Sequence, residues 1–191
     1  MAETKEPISF PFIEGNNIIL CPPNMKNINL YTKWMNSPEN RKYARYEFPQ
    51  TVEEVKKLFE PREERIKEEL FFEIFHKKDK KPIGITGLLR IFWFDRNAFL
   101  FYMIGESEYT ERGIATEAGK LVVDYAFKEL NLHKVSLHTF SPNKASIRVA
   151  EKLGFKHEIT LKKEEYIDGE HIDKLKYSIL KHEWMNSNEI K

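Results

Sequence analysis

The stretch that most constrains this chain runs from Phe99 through Leu130. An apolar aromatic run, Phe99-Leu100-Phe101-Tyr102-Met103-Ile104, is short and aromatic enough for a buried strand. A few residues on, the chain reads YTERGIATEAGKLVVDYAFKEL from Tyr109. Ile114, Ala118, Leu121, Val122, Tyr125, Ala126 and Leu130 recur at helical spacing, so this segment is an amphipathic helix entered through a turn. A strand, a turn of small residues and a helix aim the helix N-terminus at whatever lies beyond the strand end. That terminus carries N–H groups without internal partners and the positive end of the helix dipole, a setting suited to a phosphate or diphosphate. Gly113 and Ala115 leave room for close backbone approach, Arg112 adds a cation, and the Thr116 hydroxyl adds a donor. By itself the pattern is equally an ordinary strand-to-helix turn.

Composition narrows the classes. The 191 residues suffice for one domain with a sizeable core. Lysine and arginine number 31 against 30 acids, a net charge of +1, without the basic excess of a nucleic-acid binder. Cys21 is the single cysteine and the six histidines are scattered, so neither a disulfide framework nor a metal is expected. The N-terminal MAETKEPISF lacks a basic-then-apolar leader, and no apolar run reaches membrane-spanning length. The expectation is a cytoplasmic protein with no nucleic-acid or membrane partner.

The remaining elements follow from periodicity and punctuation. Ile8 to Phe12 reads as an extended arm and Asn17 to Leu20 as a first strand. A helix over Asn27–Met35, with Asn24 or Asn27 as cap, is expected to stop at Ser37-Pro38. Thr51 with Glu54 three residues on is a capping box that opens a second helix, continued by the charged segment from Pro61 to Glu69. Strands are expected at Leu70–Phe75, Ile83–Trp93, Ala98–Ile104 and Lys134–Phe140. A helix over Asn143–Leu153 stops at Gly154, and a hairpin over Phe155–Leu180 turns at Asp168-Gly169. The order β-α-α-β-β-β-α-β-α-β-β is a single mixed α/β domain, with neither linker nor repeat.

Three segments together resemble the GNAT superfamily of N-acetyltransferases. Thr110-Glu111-Arg112-Gly113-Ile114-Ala115 is similar to its acetyl-CoA motif, Gln/Arg-x-x-Gly-x-Gly/Ala, with Thr110 departing from the usual first residue. Asn143-Lys-Ala-Ser146 through Leu153-Gly-Phe155 resembles its Asn-x-x-Ser…Leu-Gly-Phe run. The ending, Tyr166 to Asp173 with Tyr177-Ser-Ile-Leu180 and Glu183-Trp184, is similar to the RimJ/RimL-like branch. The resemblance implies one domain over residues 1–191, its cofactor core at about residues 98–155. Its central, mostly antiparallel twisted sheet would splay at the cofactor strand and be flanked by helices. It also implies acetyl transfer to a primary amine of a small molecule or a protein N-terminus, by direct attack on the thioester of acetyl-CoA, without a metal. A homodimer stays open. So do a polyamine acceptor of the spermidine type and a degenerate acyl-CoA-binding module without turnover.

On that resemblance, Met103, Ile104, Thr110, Arg112, Gly113, Ile114, Ala115, Thr116, Asn143 and Ser146 are the expected cofactor contacts. The position where many members carry a donor tyrosine is Ala150, which leaves Ser146 as the candidate to protonate the leaving thiolate. For the general base two carboxylates compete. Glu73 alternates with Phe71 and Phe75 on a strand, where desolvation would raise its pKa, and Glu106 follows the cofactor strand. Arg41, Lys42 and Arg45 put cations where an acceptor would enter. They favour an anionic acceptor over a polycation.

Overall fold

The computed structural model describes residues 10–60 and 66–189. Eight strands form one sheet in the order β1-β2-β3-β4-β5-β6-β8-β7. They are β1 (Ile13–Glu14), β2 (Ile18–Cys21), β3 (Leu70–His76), β4 (Lys81–Phe92), β5 (Asn97–Ile104), β6 (Lys134–Phe140), β7 (Lys156–Ile167) and β8 (Glu170–Leu180). Every neighbouring pair is antiparallel except β5 and β6. The parallel pair needs a crossover, and α4 (Ile114–Lys128) supplies it, so the phosphate-type turn falls at the end of β5. The mixed α/β domain with a mostly antiparallel sheet is therefore present.

Alternation along the strands feeds two cores. On one face Phe72, Ile74, Leu88, Leu100, Val135 and Leu137 pack with Ala118, Val122 and Val123 of α4 and Ala150 of α5 (Lys144–Lys152). On the other, Ile85 and Met103 pack with Tyr31, Trp34 and Met35 of α1 (Ile28–Asn36) and Val55 of α3 (Val52–Phe59). The capping box of α3 forms as expected: Thr51 Oγ1 accepts from Glu54 N at 3.2 Å and Glu54 Oε2 accepts from Thr51 N at 2.8 Å. The β7–β8 turn sits at Asp168 and Gly169, whose φ values of 52° and 86° suit a two-residue hairpin.

Two local expectations are corrected and one helix is added. Ser37-Pro38 does not end helical structure; it starts α2 (Pro38–Ala44), with Pro38 in the first turn and Ser37 Oγ accepting from Asn40 N at 3.3 Å. Residues 66–69 of the charged segment are not helical, and 61–65 lie outside the described residues. The N-terminal arm is described from Phe10 on. There Phe12 N donates to Leu20 O, and the Phe12 ring stacks on Phe72 at 5.5 Å. A helix missed by pattern, α6 (Lys181–Glu189), follows β8; its Trp184 is buried and donates through Nε1 to Asp124 of α4 at 2.7 Å. Among the described residues no helix is long and apolar enough to cross a membrane.

Candidate active site

The site begins where the sheet fails to close. β5 and β6 pair only over Asn97–Phe99 with Lys134–Ser136. Beyond that seam β5 keeps its pairing with β4 as far as Ile104, while β6 keeps its pairing with β8 as far as Phe140. The inner edges of both strands are thus left without each other. A cavity of about 650 Å³ occupies the gap and takes its walls from both faces of the sheet. Its size is in the range of small-molecule sites.

At one end the cavity meets the start of α4. Gly113, Ile114, Ala115 and Thr116 line it, with Thr110 and Glu111 from the preceding loop. Gly113 is the N-cap residue at φ 80° and no side chain caps the helix, so its first N–H groups are left to the cavity. A Cβ built on Gly113 would meet nothing within 4 Å. In the cavity wall the Thr139 hydroxyl is buried without a hydrogen-bond partner, as a polar group kept for a bound molecule would be. An open helix N-terminus, a free space before it and an unpaired buried hydroxyl in the gap together fit a long ligand with a phosphate end and an amide-bearing arm. Met103 and Ile104 also line the cavity, beside the inner edge of β5. Arg112 does not: its guanidinium lies over the Tyr109 ring, 5.6 Å from the centroid. Gly105, the next residue, hydrogen-bonds Ile83 O at 2.8 Å and admits the Trp34 ring; a Cβ there would stand 2.1 Å from it.

Midway along the cavity lies α5. Asn143 is its N-cap, accepting through Oδ1 from Ser146 N at 3.1 Å, and both residues line the cavity. Ser146 Oγ is 2.8 Å from the hydroxyl of Tyr102, a cavity residue on β5. Burial pushes the Tyr102 phenol up to about 12, so it stays protonated and able to donate. Tyr102 was visible in the sequence only as part of an apolar strand. Its partnership with Ser146 spans forty-four residues, and local pattern carries no trace of it.

The two carboxylates proposed as bases are both outside this cavity. Glu73 is fully buried on the α1 side of β3, where its Oε2 accepts from Tyr31 Oη at 2.5 Å and Asn27 Nδ2 at 2.6 Å. Burial raises its pKa, outweighing the two donors, so the expected direction was right and the location was not. Glu106 accepts from Trp34 Nε1 at 2.8 Å, with Lys33 at 3.7 Å. Three carboxylates do border the cavity: Glu111 before α4, Glu39 of α2, and Glu165 of β7, which is held by Lys174 of β8 at 2.7 Å and by Arg45 at 3.2 Å. Of the cations expected at the acceptor entrance, Lys42 pairs with Asp168 and Arg45 also pairs with Glu47, so neither is free; Arg41 is exposed and does not line the cavity. The same end presents Tyr43 stacked on Phe140 (6.2 Å, 23°) and His138 against Phe99 at 4.7 Å. Desolvation and the nearby Lys174, Lys176 and Arg90 push the His138 imidazole down to about 4, so it is neutral at physiological pH.

A sheet split beside a parallel pair, with a helix N-terminus facing the gap, defines a fold that admits an acyl-CoA between two strands. Residues 17–156 match the model of the acetyltransferase (GNAT) domain, and the chain belongs to that family. It is 38% identical over 122 residues to the probable N-acetyltransferase YjcK of Bacillus subtilis, covering 62% of this chain and 67% of that protein. To the spermidine N(1)-acetyltransferase of Escherichia coli K12 it is 30% identical, over 76% of this chain and 78% of the other. The crystal structure of spermidine N-acetyltransferase from Vibrio cholerae in complex with CoA and spermine superposes with a TM-score of 0.81. That pair is 25% identical and covers 89% of this chain and 99% of the other. The protein is accordingly an acetyl-CoA-dependent amine N-acetyltransferase, of the single-domain mixed α/β fold.

Proposed function

We propose that the chain transfers the acetyl group to a primary amine within the gap between β5 and β6. In this reading acetyl-CoA lies with its diphosphate at Gly113–Thr116, and the amine arrives from the side of Tyr43 and His138. The observation that carries it is one continuous cavity joining the open end of α4 to the Ser146–Tyr102 pair and then to the aromatic end. The assignment to the RimJ/RimL-like branch rests on the closing β7–β8 hairpin and the Glu183-Trp184 ending.

The co-substrate supplies an activated thioester. The protein's part is to hold it, polarise its carbonyl and return a proton to sulfur. Backbone N–H groups along the free edge of β5 near Met103 are the donors this reading assigns to the carbonyl oxygen. Ser146 is assigned to the thiolate, and Tyr102 orients the Ser146 hydroxyl and replaces its lost proton. Neither Glu73 nor Glu106 reaches the cavity, Glu165 is neutralised by two cations, Glu39 and Glu111 are solvent-exposed, and His138 is too weak a base. The acceptor therefore gives its proton to cavity water. An amine with a pKa near 10 is mostly charged at neutral pH, so kcat/KM should climb with pH over pH 6–9. A peptide N-terminus, with its lower pKa, fits the same scheme as well as a small amine does.

The test is thiol release with acetyl-CoA across a panel of amines and peptides. Ser146→Ala is expected to lower kcat about 10²- to 10⁴-fold, the usual share of general acid catalysis, with acetyl-CoA affinity by calorimetry unchanged. A kcat loss below about threefold would remove Ser146 from the chemistry.

A further inference from the structure

Among the described residues, one cation at the acceptor end has no side-chain partner. Arg90 lines the cavity, is exposed, and its guanidinium makes no hydrogen bond or ion pair among the described residues. Its position is not an accident of alternation. Leu88 and Ile91, three residues apart, both enter the core shared with α4, which an unbroken strand with its two-residue period would not allow. The register of β4 on β5 shifts between Leu89 and Phe92, and Arg90 sits there at φ 50°. This is a β-bulge, which turns two successive residues to the same side; Leu89 and Arg90 both line the cavity. A left-handed conformation is costly for arginine, and strained residues held in a bulge beside a site are commonly functional.

The surroundings reinforce the charge. Lys174 and Arg45 flank Glu165 and cancel it, leaving Glu39, exposed in the first turn of α2, as the other acid at this end. Among the cavity residues at this end, the cations Arg45, Arg90 and Lys174 stand against the carboxylates Glu39 and Glu165, with Glu47 beside the cavity also holding Arg45, so Arg90 is the charge left over. His138 is kept neutral first by desolvation, with Lys174, Lys176 and Arg90 adding to the effect. A polycation entering here meets no free buried carboxylate.

Resting on the acetyltransferase reading above, we propose that the acceptor is a small amine that also carries an oxyanion, carboxylate or phosphate, which Arg90 binds while the amine reaches the gap. Guanidinium matches both oxyanions by paired donation. The preference for an anion is thereby written into the β4 bulge.

The experiment compares matched acceptors: glucosamine 6-phosphate against glucosamine, 5-aminopentanoate against 5-aminopentan-1-ol, and spermidine as the polycation. Binding to the CoA-loaded protein is followed by calorimetry, and turnover by thiol release. The charged member of at least one pair should bind about fivefold tighter, the scale of one exposed charge pair, and the advantage should shrink in high salt. The pair that shows it distinguishes phosphate from carboxylate. Arg90→Gly, which suits φ 50° and so preserves the bulge, should abolish the preference, while Arg90→Lys should keep part of it. Equal binding within both pairs, tighter binding of spermidine, or a preference untouched by Arg90→Gly would overturn the inference. A preserved preference in binding without thiol release from any acceptor would support Arg90 and count against acetyl transfer instead.

Discussion

Glu73 shows how much a single side chain can mean and how easily its meaning is misplaced. The alternation of β3 correctly gives it an aromatic neighbourhood, since Phe71 shares its face and packs against Phe59 and Phe101. What alternation cannot say is which face borders the ligand, because that depends on the order of strands across the sheet. Glu73 instead fastens α1 to the sheet through Tyr31 and Asn27, with Oε1 left unpaired. Its pKa is raised on folding above the ordinary 4.5, so the native state binds the proton more tightly than the unfolded chain does. The resulting stability is complete below the unfolded value and is lost as pH rises through the folded one. Glu73→Gln removes the titration. Urea unfolding at successive pH values should show the variant gaining on wild type between pH 4.5 and the folded pKa, then holding a constant difference. A difference that is flat with pH would mean that Glu73 titrates alike in both states.

At the scale of elements, the segments whose signals are local were legible. Strand β6 was read with its observed ends, and α4, α5 and the Asp168-Gly169 hairpin follow from periodicity and punctuation. The α3 capping box is equally local, and its worth can be measured. Thr51→Ala should cost about 1 kcal/mol, which for a chain of this size is about 2–4 °C in melting temperature, and Thr51→Ser should restore it. Helix α2 was missed because Ser37-Pro38 carries two meanings. The same dipeptide ends one helix and, with serine as cap and proline in the first turn, opens the next. The bulge at Arg90 was hidden for another reason: an inserted residue shows only against its partner strand, and β5 lies beyond the turn. The turn into α4 was legible because its small and polar residues are consecutive, from Thr110 to Thr116. Tyr102, Glu165 and Lys174 were not, since tertiary placement alone brings them to the same cavity.

Taken whole, the molecule is a sheet in two plates, β1 to β5 and β6 with β8 and β7, joined directly by a seam three residues long. Leu100 of one plate and Leu137 of the other also share the core formed with α4 and α5. Each plate therefore offers the gap a raw edge: beyond Phe99 on β5 and Ser136 on β6 the two strands no longer pair with each other. A bound arm with amides of its own would act as a short missing strand and stitch the plates together. Deuterium exchange should then slow along the gap edges of β5 and β6 when CoA is added, with little change in β2 and β3. Melting temperature should rise with ligand concentration as mass action requires. Equal slowing throughout the sheet would mean the plates already move as one. The same feature has a mechanical consequence. A sheet tears where its ladder is thinnest, so pulling the plates apart should split the empty protein at this seam first, and the ligand that it acts upon would double as the rivet.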